Sequence, residues 1–169
     1  MRLSPPASSA SWPFRVVADT NVFVAAVNPD ALKRDASNGF TKPLGVEFLE
    51  RAFYDQFVML LSVGTFFELV EKLEEFGVPE QLILELAQRL RDQAEEVQPQ
   101  SFERFCSDAD DDKFVHAAIA GRASHLVSQD RHLRRLEESL FEFRIVVIVS
   151  FLRELRATLK TQRLESQST

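Results

Sequence analysis

The sequence predicts an α/β protein with a mostly parallel sheet covered on both faces by helices. Three observations predict it. Short continuous apolar runs recur at Val16–Ala18, Val58–Leu61, Leu126–Ser128 and Ile145–Val149, and runs without alternation suit strands buried on both faces. Between them the apolar spacing turns helical. Strands alternating with helices build βαβ units and hence a parallel sheet.

Taken in order, residues 1–13 are rich in Ser, Pro and Ala without an apolar stretch and read as a flexible tail, not a signal peptide. The folded domain spans 14–159. Val16–Ala18 is the first strand and Val22–Val27 the helix after it. Asn28–Leu44 carries Pro29, Asn38, Gly39 and Pro43 and reads as a long loop. Val46–Phe57 is helical, then Val58–Leu61 a strand. Phe66, Leu69, Val70, Leu73 and Phe76 form an amphipathic stripe. Gly77 stops that helix, and Pro79 opens the next, Glu80–Ala94. Glu95–Gln98 is a weaker edge-strand candidate. Phe114–Ala120 is helical, Leu126–Ser128 a strand, Arg131–Glu138 a helix that Asp130 could cap. Ile145–Val149 is the last strand and Leu152–Leu159 the last helix. Residues 160–169 read as a polar, fraying tail.

Composition narrows the class. The 169 residues, 45% hydrophobic, suit one domain with a sizeable core, filled largely by the 15 Phe. No apolar run approaches a membrane span. The single Cys106 forms no intrachain disulfide, which fits a reducing cytoplasm. A net charge of −6 argues against broad duplex binding but leaves room for a nuclease whose metal offsets a local acid cluster.

Such a cluster is what the acids suggest. Asp19 closes the first strand, at the carboxyl edge where α/β folds place ligands; helix capping is its ordinary reading. Glu68 is the first acid after the second strand, with Glu71 as fallback. Asp108, Asp110, Asp111 and Asp112 crowd before a helix. An acidic helix start suits the macrodipole, but four acids exceed that need. Asp111 is expected on the buried face of the first turn, looking over the sheet edge, and Asp108 or Asp110 to cap. Asp130 follows the fourth strand, where Ser128 could orient a carboxylate or hold a water. Converging carboxylates repel unless a cation sits among them, so the pattern points to a divalent-metal site.

The segments Val16-Val-Ala-Asp19-Thr-Asn-Val-Phe-Val, Leu61-Ser-Val-Gly-Thr-Phe-Phe-Glu68-Leu, Asp108-Ala-Asp-Asp-Asp-Lys-Phe-Val-His-Ala-Ala and His125-Leu-Val-Ser-Gln-Asp130 resemble the PIN domain family. The likeness is nearest to the VapC-like toxin components of bacterial toxin–antitoxin systems. The resemblance implies a three-layer α/β/α sandwich and an Mg²⁺- or Mn²⁺-dependent ribonuclease. Its acidic site would be Asp19, Glu68, Asp111 and Asp130, with Thr20 and Asn21 shaping the surroundings of Asp19. It implies an RNA substrate, an antitoxin protein partner and a homodimer. Asp112 stands where relatives often carry Asn, which blurs the choice among Asp110, Asp111 and Asp112. A non-catalytic PIN-like binding module is the alternative.

Oxygen ligands suit Mg²⁺ or Mn²⁺, which would acidify a water and neutralise the phosphate. Asp19 and Asp111 are the expected direct ligands. Glu68 would ligate or position the water, and Asp130 would complete the shell. Lys33, Arg34, Lys42, Arg131, Arg134 and Arg135 are candidate phosphate contacts. His116 and His132 do not fit a catalytic base, and no Cys/His pair has zinc-ligand spacing. A receiver domain needs an acid pair near the first strand and a Lys after the last; a dehalogenase-type phosphatase needs Asp-x-Asp where Asp19-Thr20-Asn21 stands; a phosphate-binding GxxxxGK[ST] loop is absent.

Overall fold

A computed structural model of the chain describes residues 14–27, 37, 39, 42–101, 103–136 and 138–167. Its strands are β1 (Arg15–Ala18), β2 (Val58–Leu61), β3 (Glu95–Glu96), β4 (His125–Val127) and β5 (Arg144–Val146). They form one sheet in the order β3-β2-β1-β4-β5, with every pair parallel. The helices are α1 (Thr20–Val27), α2 (Leu44–Phe53), α3 (Val63–Glu75), α4 (Glu80–Gln93), α5 (Asp112–Ala120) and α6 (Ile148–Ser166).

Strand alternation divides the core in two. Val16, Ala18, Met59, Leu61, Val127 and Val146 face a layer built from α1, α2, α3, α4 and α6, where Phe23, Phe48 and Phe151 are fully buried. Val17, Leu60, Leu126 and Ile145 face the other way, onto α5 with Phe114, Cys106, Leu133 and Phe143. Register agrees, because Val17 pairs with both Leu60 and Leu126, and residues side by side in neighbouring strands share a face. The result is the α/β/α sandwich expected from the sequence, but its core is not filled largely by Phe: among the described residues ten Leu and seven Phe are buried.

Two glycines fix how the helices seat. A Cβ on Gly45 would lie 2.5 Å from the Ala26 backbone nitrogen, so α2 crosses α1 in close backbone contact and holds it over β1. Gly77 has φ +68°. Its amide donates to Glu74 O and that of Val78 to Leu73 O, a left-handed stop that ends α3 before Pro79 begins the turn into α4.

Several expected elements are corrected. The run Ile145–Val149 is not all strand: β5 ends at Val146 and α6 begins at Ile148. An apolar run reads alike as strand or buried helix, and here Ile148, Phe151, Leu152 and Leu155 share one buried face. That helix runs on through Ser166, beyond Leu159, with exposed residues from Lys160 onward. The expected helix Arg131–Glu138 is absent among the described residues; a 3-10 turn spans Leu133–Arg135 and a second Glu138–Leu140. Glu95–Glu96 is the sheet's edge, as expected. Most of the Asn28–Leu44 loop, including Lys33 and Arg34, and the 1–13 tail lie outside the described residues. Among the described residues, no helix is long and apolar enough to cross a membrane.

Candidate metal centre

A parallel sheet sends all its strand ends to one side, and the sequence loads that side with acids. Asp19 follows β1 directly. Its amide donates to Val127 O at 2.9 Å, which locks it between β1 and β4. The side chain is buried, and its capping contact is marginal, with the Asn21 amide 3.5 Å from Oδ1. Its real partners come from the side. Ser128 Oγ donates to Oδ2 at 2.6 Å and Asn21 Nδ2 to the same oxygen at 3.1 Å. Burial raises the proton affinity of Asp19 above the ordinary carboxylate range; the Ser128 and Asn21 hydrogen bonds oppose this, and the Glu68 charge adds to it.

Glu68 stands in the second turn of α3. The helix starts at Val63 under a capping box, in which Ser62 Oγ accepts from the Thr65 amide and Thr65 Oγ1 accepts from the Ser62 amide. That places Glu68 toward the centre. Thr20 Oγ1 donates to its Oε1 at 2.9 Å, and Lys113 Nζ lies 2.6 Å from its Oε2. Sequence reasoning missed Lys113. The signal was its place directly after an acid run, opposite a helix that carries Glu68, but the pairing itself is a tertiary contact. Glu71, the fallback, is exposed.

The Asp-rich run separates into different roles. Asp108 caps the 3-10 turn Ala109–Asp111 by accepting from the Asp110 amide at 3.0 Å. Asp110 is exposed. Asp111, expected on the buried face, is only half-buried; the buried acid is Asp112, the first residue of α5. Asp112 Oδ1 accepts from the amides of Cys106 at 2.7 Å and Phe105 at 3.0 Å. Burial works against that charge, but the two amides outweigh it and hold the carboxyl below its ordinary value. The extra acid of the run thus pins the preceding loop to α5. Asp111 is left facing the sheet edge, where its pKa rises to about 6 through burial and the charges of Asp130, Asp108 and Asp19.

Asp130 joins this group through Ser128. The Ser128 side chain is fully buried and bridges two acids, donating to Asp19 while accepting from the Asp130 amide at 2.9 Å. Asp130 Oδ1 in turn accepts from the His132 amide at 2.6 Å, which shapes a turn rather than the expected helix. Of the expected phosphate contacts, Lys42 is engaged by Glu50. Arg131, Arg134 and Arg135 are exposed just past Asp130, without ion pairs among the described residues. His116 turns its Nε2 to Glu103 O, and His132 its Nδ1 to Ser107 Oγ. Burial and Asp112 push the Cys106 thiol up to about 12, which leaves it protonated and inert.

The structure thus brings Asp19, Glu68, Asp111 and Asp130 to one edge, with Thr20, Asn21, Ser128 and Lys113 as their supports. Among the described residues, no three acidic, His or Cys side chains stand close enough together to enclose a metal ion as placed. The donor chemistry nonetheless fits a hard divalent cation: carboxylate oxygens, mutually repelling, with the Asp111 pKa raised to about 6 by burial and by neighbouring acids. No curated protein matches the chain. A model of the PIN domain matches residues 15–132, a span that contains all four acids, and the chain therefore belongs to the PIN domain family, whose members are generally nucleases.

Proposed function

We propose that this PIN domain is an endoribonuclease that hydrolyses RNA phosphodiester bonds with Mg²⁺ or Mn²⁺ held by Asp19, Glu68, Asp111 and Asp130. The observation that carries the reading is the gathering of carboxylates at one sheet edge, where burial, with a smaller contribution from neighbouring acids, raises the proton affinities of Asp19 and Asp111. When bound, the ion supplies an acidified water and neutralises charge on the phosphate.

The chain's own residues divide the remaining work. Ser128 and Asn21 keep Asp19 in one orientation, the kind of outer support that sets ligand direction. Thr20 and Lys113 hold Glu68, which would ligate the ion or position the attacking water. Asp130 would complete the shell. Asp112 and Asp108 support the backbone rather than the ion. Arg131, Arg134 and Arg135, exposed just past Asp130, would meet RNA phosphates. What supports a finer role, the toxin of a toxin–antitoxin pair with an antitoxin partner and a homodimeric state, is the motif likeness alone. A cytoplasmic setting rests on the lone buried thiol.

The test compares wild type with Asp19→Asn on a panel of structured and single-stranded RNAs with Mg²⁺, Mn²⁺ or EDTA. Metal-dependent cleavage that falls more than about 100-fold in the variant, beyond the range of outer-shell changes, is the expected result. Equal cleavage by both proteins would place the chemistry elsewhere. Metal binding without cleavage of any RNA would favour the binding-module alternative.

A further inference from the structure

A second feature lies at the same sheet edge, on the other side of α3 from Lys113. A cavity of about 320 Å³ opens where β2 and β3 end, lined by Leu61, Ser62, Phe66, Phe67, Arg91 and Glu96. Its position relative to the acids follows from register. Val17 pairs with Leu60 in parallel, so Asp19 and Ser62 each stand two residues further along neighbouring strands, at the same edge of the sheet. Residues 67 and 68 of α3 divide the helix between the two features, with Phe67 lining the cavity and Glu68 turned to Thr20 and Lys113.

The lining has the composition that single-stranded RNA recognition uses. Phe67 is 62% exposed, the most of any described Phe. Phe66 braces it edge-on, with ring centroids 6.2 Å apart and planes at 71°, which leaves a ring face free. Arg91, in the last turn of α4, has no ion-pair partner among the described residues. Glu96 adds an acceptor for a base amino group. Unstacked bases bind on aromatic faces and Arg planes, with polar groups at their edges.

Resting on the ribonuclease reading above, we infer that this cavity is a nucleobase subsite, which stacks an unpaired base of the RNA on Phe67 beside the scissile phosphate, with Arg91 against the base or its phosphate. The apolar groove continues between α3 and α4 past Val70 and Ile83. What favours a base at this end is the unpaired Arg91 and the adjacency to Asp19, neither of which an apolar protein segment would need.

The test measures binding of fluorescein-labelled ten-nucleotide homopolymer RNAs to the full chain in EDTA, by anisotropy, each with and without one internal abasic position. Cleavage of the same RNAs is followed in Mn²⁺. Phe67→Ala should raise Kd about tenfold for the intact RNA, the scale of one lost base stack. The abasic RNA should bind wild type correspondingly weakly and show no further loss in Phe67→Ala. Arg91→Ala, also exposed, should weaken both RNAs. Thermal melts of the two variants should match wild type. Unchanged Kd in Phe67→Ala with cleavage intact would overturn the subsite and leave the ribonuclease reading standing, as a groove for a protein partner would give. Equal losses for intact and abasic RNA would also overturn it. No RNA binding and no cleavage by wild type would overturn both.

Discussion

The two ends of the sheet use the same charged residue types in opposite ways. At the amino end, acids meet Arg. Arg15 makes two hydrogen bonds to Glu95, at 2.7 and 2.9 Å, and Arg144 reaches both oxygens of Glu154. Glu95 is accordingly held below the ordinary carboxylate range by Arg15. At the carboxyl end, acids meet acids, hydroxyls and one lysine, and Asp111 is pushed up to about 6. The first arrangement is complete without any further partner. The second is electrostatically unfinished, which is the property expected of a site that receives a cation. Sign of charge alone says little about purpose; the identity of the neighbours does.

That contrast can be tested beyond the Asp19→Asn comparison. The largest effect expected at a supporting residue is from Ser128→Ala, which removes the donor to Asp19 and the acceptor for the Asp130 amide. Activity or Mn²⁺ affinity should drop about 10–100-fold, the range for supports of metal ligands, while the melting temperature changes little by comparison. Titrating Mn²⁺ against the variant separates positioning from folding, because a purely structural serine would lower stability and leave metal affinity intact.

Asp112→Ala probes the one acid of the carboxyl end that is satisfied like those of the amino end. It strips the acceptor from two backbone amides and should cost about 2 kcal/mol of stability, read by urea denaturation. Metal affinity should fall far less than in Asp111→Asn. The reverse ranking would make Asp112 the ligand and reassign the run.

Asp111→Asn gives a pH signature. The native carboxyl holds its proton more tightly than the unfolded one, at about 6 against an ordinary 3.8. The stability that protonation contributes is therefore full below about pH 3.8 and lost as pH rises through 6. Without metal, Asp111→Asn should melt higher than wild type at pH 7.5, and the gain should vanish toward pH 4. Mn²⁺ should raise the wild-type melting temperature and not the variant's. A variant that melts lower at pH 7.5 would show that Asp111 is not strained by its neighbours.

The smallest effect belongs to the amino end. Glu95→Gln weakens an exposed pair and should cost under about 1 kcal/mol, shrinking further in high salt, with no change in metal affinity. A change in Mn²⁺ affinity would break the separation between the two ends.

Much of this was legible in the chain. The four apolar runs mark β1, β2, β4 and β5, because a doubly covered parallel sheet needs uninterrupted apolar residues. The stop at Gly77 and the start at Pro79 are backbone chemistry of single residues. The acids at the ends of β1 and β4, and the Asp run before α5, stand out because chain position fixes which end of a parallel strand they occupy.

The sequence by itself thus determined the layers, the loaded edge and the set of acids brought to it. Only the tertiary structure decided how those acids are used. Within Asp108–Asp112 the side chains point in different directions because a 3-10 turn passes into α5 at Asp112, and identical residues in a turn carry no local signal of direction. Ser128 reaches Asp19 across 109 residues and Thr20 reaches Glu68 across 48; such pairings exist only once neighbouring strands and helices are docked. The fate of Ile148 and Val149 was undecidable for a related reason. Apolarity demands burial but not a conformation, and it was the packing of α6 against the sheet that gave them to a helix.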